Sequence, residues 1–253
     1  MKGVFEIKIL SIGNSFSQDA QSFLHNIARA NGEDLKCVNL FVGGCSLRTH
    51  YLNMLDDESN YMFEFNGATT GIFVSIKEAL KSDNWDYITI QQASHESFDF
   101  DNYIPYIKEL ASYIKRYSPK SKLLIHQTWA YDNNSDALKR IGYNSHQEMF
   151  FDVESAYAKA AAEINADGII YSGRTVFEAY KQRPEIVYRD GFHLSLGFGR
   201  YMIGLLWFMT LYGKTAGLRH VSELPESISK NNMDFALETA NKIYDLQPQK
   251  IKL

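Results

Sequence analysis

The chain has 253 residues, 45% hydrophobic and 22% charged, and its 26 Lys and Arg against 30 Asp and Glu leave a net charge of −4. That apolar content excludes a disordered polymer, and the lack of a basic surplus to neutralise phosphates argues against a dedicated nucleic-acid binder. Two cysteines, Cys37 and Cys45, have neither CxxC spacing nor the density of a disulfide scaffold, so unpaired thiols in a reducing compartment are expected.

The first eight residues mix acid and base where a signal peptide needs an apolar stretch, which places the chain as written in the cytoplasm; a chain trimmed of its leader would read the same. The apolar run Tyr201 to Tyr212 falls short of the ~20 residues of a membrane span and reads as a buried helix. No repeat or Gly/Ser linker interrupts the chain, so residues 1–253 are expected to form one domain with no membrane contact.

Short β-rich apolar runs alternate with longer amphipathic ones. Ile7 to Ile12 reads as a buried strand, followed by a helical run carrying Phe23, Leu24, Ile27 and Ala28 on one face and stopped by Asn31-Gly32. Leu35 to Val42 reads as a second strand ending at Gly43-Gly44, and Ile76 to Leu80 as a helical turn before a third strand, Tyr87 to Ile90. A helix with Ile104, Ile107, Leu110, Ala111 and Ile114 on one face ends near Ser118-Pro119, ahead of a fourth strand at Leu123 to Ile125. An Ala-rich helix, Val153 to Ile164, precedes a fifth strand at Gly168 to Tyr171, and helices follow near 174–181, 197–212 and 232–245. This alternation predicts an α/β fold, a three-layer α/β/α sandwich around a parallel sheet of about five strands. The 48–75 stretch, rich in Asn, Asp and aromatics, is expected to be a substrate-facing insertion or lid.

In such folds ligands bind outside the carboxyl ends of the strands. Those ends carry Gly13-Asn14-Ser15-Phe16-Ser17, Gly43-Gly44-Cys45-Ser46, Gln91-Gln92-Ala93-Ser94-His95 and His126-Gln127-Thr128-Trp129, and Asp190-Gly191-Phe192-His193 stands near the end of the chain. A serine at a strand-to-helix turn sits where helix N–H groups favour an anion, but it needs a base to become a nucleophile and donors for the oxyanion. Ser17 is better read as an N-cap. Asp190 and His193, in a D-x-x-H turn, supply an orienting carboxylate and a base for Ser15.

With Gly13-Asn14-Ser15, Gly44-x-Ser46 and Asp190-x-x-His193-Leu194-Ser195 in place, the chain resembles the SGNH (GDSL-like) hydrolase superfamily over nearly its whole length. The resemblance implies a flavodoxin-like fold and ester hydrolysis, often of O-acetyl groups on carbohydrates. It implies Ser15 as nucleophile, His193 as base, Asp190 as orienter, and the backbone amides of Ser15 and Gly44 as oxyanion donors. The third block departs from the superfamily's Gly-x-Asn-Asp pattern: Ala93 falls at the Gly and His95 at the Asn, so a third oxyanion donor is either His95 or the Gln92 amide, Gln91 pointing to the opposite face.

Asn14, His50 and Trp129 are candidate substrate contacts. His25 and His146 read as surface residues and His126 as a strand residue. No H-E-x-x-H or Cys/His cluster has metal-ligand spacing, and no phosphate-binding motif is present, so neither a metal nor another cofactor is expected. The expected partner is a small-molecule ester, an acylated sugar, and the oligomeric state is unspecified. A sugar-binding or sensor module on the same scaffold is the rival reading, kept open by 16 Tyr, 16 Phe and 3 Trp; a flavodoxin-like cofactor binder ranks third, its first loop resembling a phosphate cradle only loosely.

Overall fold

The structure, a computed structural model, describes residues 6–217 and 228–247; most of the N-terminal segment read above for a leader lies outside them. Strands β1 (Ile7–Gly13), β2 (Leu35–Phe41), β3 (Tyr61–Phe65), β4 (Ala68–Val74), β5 (Tyr87–Ile90), β6 (Lys122–His126) and β7 (Gly168–Ile170) form one sheet in the order β4-β3-β2-β1-β5-β6-β7. The five strands from β2 to β7 across β1 are all parallel, as expected from runs such as Ile9, Leu10 and Ile12 that are buried on both faces. Their order is the flavodoxin-like one, with the chain leaving β1 toward β2 and later returning to its other side at β5.

That reversal sends successive crossovers to opposite faces. Helices α1 (Ser15–Gln21) and α2 (Leu24–Ala30) lie on one face with α8 (Ser172–Gln182), α9 (Phe198–Tyr212) and α10 (Lys230–Leu246). The other layer holds α3 (Leu47–Asp56), α4 (Ile76–Lys81) and α5 (Tyr106–Tyr117), with α6 (Asp136–Arg140) and α7 (His146–Glu163) further along the chain. In α5 the expected face, Ile107, Leu110, Ala111 and Ile114, turns inward, although Ile104 precedes the helix. Helix α9 is buried nearly all round, and among the described residues no helix is long and apolar enough to cross a membrane.

Two expectations are corrected. The 48–75 stretch is not a lid: it folds as most of α3 and an antiparallel hairpin, β3 and β4, which adds two strands beyond β2 to the five parallel ones expected. Its turn is the pair Asn66-Gly67 with φ of 50° and 83°, a two-residue hairpin signal when flanked by apolar residues, which the irregular composition around it obscured. His146 is not on the surface; it is buried against Tyr180, with ring centroids 4.1 Å apart. His25 is only partly buried and its Nδ1 lies 2.7 Å from the Leu35 carbonyl. Cys37 and Cys45 are free, and burial pushes both thiols up to about 12.

Three imidazoles are therefore neutral in the core: burial lowers His50 and His126 to about 3 and His146 to about 4, from an ordinary 6.5. Each has an Nε2 without a partner among the described residues. Below pH 6.5 the unfolded chain takes up protons that the native state refuses, so the stability present above that value is lost as pH falls. Three such groups give a maximum slope of about 4 kcal/mol per pH unit, at ~1.4 for each proton; the buried Glu64 carboxyl, raised by desolvation, works in the opposite sense. Urea unfolding at pH 7 and pH 5 is expected to show a fall in stability on acidification, with His146→Gln reducing the slope by one proton. A stability independent of pH across that range would mean that these rings are not held neutral.

Candidate active site

Strand β1 runs into the turn Gly13-Asn14-Ser15, and α1 starts at Ser15. The helix approaches the strand closely: a Cβ on Gly13 would collide with the Ser17 hydroxyl. Asn14 is the N-cap, its Oδ1 accepting the Phe16 amide at 3.0 Å. The expectation that Ser17 caps the helix is thus corrected: Ser17 sits at the third helical position, where its Oγ accepts the Asn14 amide at 3.1 Å and completes a reciprocal capping box.

Ser15 Oγ lies 2.9 Å from His193 Nε2, and His193 Nδ1 lies 2.7 Å from Asp190 Oδ2. Asp190 Oδ1 also accepts the His193 amide at 2.8 Å and that of Phe192 at 3.3 Å, closing the D-x-x-H turn on itself. Partial burial would raise the Asp190 carboxyl, but the His193 ring N–H and the two amides outweigh it and hold the group below the usual carboxylate range. A carboxylate on Nδ1 fixes the tautomer in which Nε2 is free to accept the serine proton. Sequence positions 178 residues apart thus meet within one hydrogen bond.

A buried carboxylate that belongs to none of the motifs holds them there. Asp19, one helical turn after Ser15 on α1, is fully buried. Its carboxylate accepts Arg189 Nη1 at 3.0 Å, Arg200 Nε at 2.8 Å and the Leu194 amide at 2.9 Å. Arg189 also donates to the Leu194 carbonyl. The signal lay in the spacing: an acid four residues after the serine, and arginines on either side of the Asp190–His193 turn.

The proposed substrate contacts fare differently. Trp129 is fully buried and stacks on Phe16 at 4.3 Å, while its Nε1 donates to the Phe192 carbonyl at 2.7 Å, so it braces the His193 turn from behind instead of lining a pocket. His50 is fully buried, its Nδ1 2.9 Å from the Tyr61 hydroxyl and 3.4 Å from Cys45 Sγ. Asn14 is 1% exposed with both side-chain polar atoms engaged. None of the three exposes a free polar group to a ligand, the unpartnered His50 Nε2 being sealed in the core.

Gly44 carries a φ of +63° that favours glycine, on an exposed loop where a Cβ would meet nothing. The glycine is therefore required by the backbone conformation and not by crowding. Neither its amide nor that of Ser15 has a protein acceptor among the described residues. Gln92, expected as an alternative oxyanion donor, has no free amide: fully buried, it accepts the Leu47 amide at 2.8 Å and donates to the Asn102 carbonyl at 3.0 Å. His95 lies on an exposed turn with Nε2 3.7 Å from the Glu96 carboxylate. Gln91 points away from Gln92 as expected, and it is the one that reaches Asn14, at 2.8 Å, while its Oε1 accepts His126 Nδ1 at 2.6 Å. Among the described residues no group of three or more His, Cys, Asp or Glu side chains could hold a metal ion.

Replacing Asp19 by Asn would leave two guanidiniums facing a neutral amide in a buried site, so Asp19→Asn is expected to cost about 3–5 kcal/mol in urea unfolding. A loss below ~1 kcal/mol, the scale of a surface ion pair, would show that the node does not carry the structure.

The chain matches the family described as Domain of unknown function (DUF4886) over residues 8–243. It is similar to a solved DUF4886 family protein from Bacteroides uniformis ATCC 8492, with 34% identity over 98% of both chains and a TM-score of 0.86. It is similar in fold to a protein from Parabacteroides merdae ATCC 43184 assigned as a GDSL-like lipase, at 13% identity over 82% of this chain and 95% of that one, with a TM-score of 0.56. A protein from Streptococcus pneumonia, described as a platelet activating factor, matches at 14% identity over 83% of this chain and 86% of that one, with a TM-score of 0.52. No curated protein matches. The chain belongs to the DUF4886 family and has the GDSL-like hydrolase fold.

Proposed function

We propose that the protein is a serine esterase that removes a small acyl group, acetyl in the simplest case, from a polar alcohol of the carbohydrate class. The observation that carries this reading is the continuous contact from Ser15 Oγ through His193 to Asp190, 2.9 and 2.7 Å long. A binding module has no use for a nucleophile, a base and an orienter aligned in one chain of hydrogen bonds.

In the reaction, Ser15 Oγ attacks the ester carbonyl as His193 Nε2 takes its proton, and the tetrahedral oxyanion rests on the Ser15 and Gly44 amides. The imidazolium, stabilised by Asp190, then protonates the leaving alcohol; water attacks the acyl-serine with the same imidazole as base, and Ser15 is regenerated. The fold shared with a protein assigned as a GDSL-like lipase is compatible with this chemistry.

Both halves of the substrate, the acetyl group and the carbohydrate alcohol, come from the resemblance to SGNH hydrolases. A cleft of about 490 Å³ adjoins the triad at Asp190, bordered by Asp132, Asn134, Arg140, Tyr188 and Phe192 but not by Ser15 or His193, and its polar lining is compatible with hydroxyls. The aromatic richness that favours a sugar-binding module lies largely in the core: Trp85, Trp129 and Trp207 are all buried.

Ser15→Ala is expected to lower turnover of 4-nitrophenyl acetate by about 10⁴-fold or more with little change in Tm, since among the described residues the hydroxyl bonds His193 alone. Wild-type rates in that variant would remove Ser15 from the mechanism. His95→Ala should alter kcat by less than about tenfold, because a lost oxyanion donor costs ~10²–10³ and the ring faces Glu96. A larger drop would restore His95 to the oxyanion hole.

A further inference from the structure

We infer that the Asn14 carboxamide is the positioning residue that sets the spacing of the two oxyanion amides, a role that rests on the esterase reading above. The Ser15 amide opens α1 and the Gly44 amide lies on the loop after β2; the β1–β2 ladder ends at Gly13 and Phe41, and beyond the Val42 amide's bond to the Gly13 carbonyl at 3.5 Å no backbone bond among the described residues ties the two segments. Asn14 precedes Ser15, and Cys45 follows Gly44. The Asn14 Nδ2 donates to the Cys45 carbonyl at 3.1 Å, joining the two loops at the peptide units next to the donors.

The orientation of this carboxamide is imposed from behind. Oδ1 accepts both the Phe16 amide at 3.0 Å and Gln91 Nε2 at 2.8 Å. Gln91 is itself oriented by His126, whose Nδ1–H donates to Gln91 Oε1 at 2.6 Å. With two donors aimed at Oδ1, the NH₂ group can only face Cys45. The whole relay is buried: Asn14 is 1% exposed, Gln91 2% and His126 0%. On the other side, the Gly44 loop ends in an exposed left-handed glycine, where the Cys45 amide bonds Val42 within the loop at 3.2 Å. Two functions therefore sit on one side chain. Oδ1 caps α1, which any short acceptor can do, and Nδ2 clamps the second loop, which needs an amide donor of this length.

Two substitutions separate these functions. Asn14→Asp keeps the cap and turns a carboxylate oxygen toward the Cys45 carbonyl; Asn14→Ser keeps a capping hydroxyl too short to reach it. Both are expected to lower kcat on 4-nitrophenyl acetate by about 10²–10³-fold, the scale of one oxyanion donor, with KM changed less than about threefold. Labelling by a serine-reactive phosphonate should slow in parallel while the protein stays folded. Protonating the introduced carboxyl restores a donor, so the ratio of Asn14→Asp to wild-type kcat should rise from pH 7 to pH 5, a recovery absent from Asn14→Ser. Folded variants with wild-type kcat, or loss of the fold in both, overturn the clamp. A wild-type protein that neither hydrolyses the ester nor reacts with the phosphonate overturns the esterase reading and the clamp with it, whereas an active, labelled wild type with undisturbed variants overturns the clamp alone.

Discussion

A fully buried carboxylate with three donors is the constraint on which the rest of the site depends. Asp19 leaves water completely, a transfer costing several kcal/mol that only close partners offset. Arg189, Arg200 and the Leu194 amide are those partners, and all three come from the segment around His193. Because Asp19 lies one turn beyond Ser15 on the same helix, satisfying its charge also places the imidazole over the serine. An apolar contact would hold the loop near the helix without fixing its azimuth. An ion pair with a directed amide bond fixes both.

Topology makes that contact available. The chain reverses direction across the sheet at β1, which opens a crevice at the carboxyl end of that strand, and the α1 that begins there packs on α9. Arg200 lies on α9 and Arg189 on the loop before it, so the helix layer that covers one face of the sheet also positions His193. The second layer contributes differently: α3 starts immediately after the Gly44 loop, and its Leu47 amide is held by Gln92. Each layer thus brings one half of the site to the same edge.

The parallel core was legible because Ile7–Ile12, Leu35–Val42 and Tyr87–Ile90 are apolar runs too short for helices and bounded by turn residues. Ser15, Asp190 and His193 were legible because reactive groups at strand ends have few other reasons to be there. The burial of Trp129, His50 and Asn14 is not legible in the sequence, for a common reason. Proximity in sequence to a strand end says that a residue is near the site, but the side a residue faces depends on neighbours that arrive from elsewhere: Phe192 for Trp129, Tyr61 for His50, Cys45 for Asn14. Asp19 escaped because its partners lie 170 to 181 residues away, and the spacing of one acid on one helix turn names none of them. The hairpin escaped because its alternation is weak and β4 is exposed along its length, so that only the Asn66-Gly67 turn marked it.

The polar groups of this site divide by how completely they are bonded. Ser15 Oγ has a single partner among the described residues, and the Ser15 and Gly44 amides have none. Asn14, Gln91 and Gln92, directly beneath, are buried and bonded through both ends of their carboxamides. An unbonded group in a rigid cradle can bind an incoming charge without first breaking a bond or reorganising, which is the condition for stabilising a transition state more than a ground state. The cradle must then be stiff, and amide side chains that use donor and acceptor together supply stiffness where apolar packing would allow rotation. The same logic accounts for a polar layer under the Ser15–His193 pair in a core otherwise built of aliphatic and aromatic side chains.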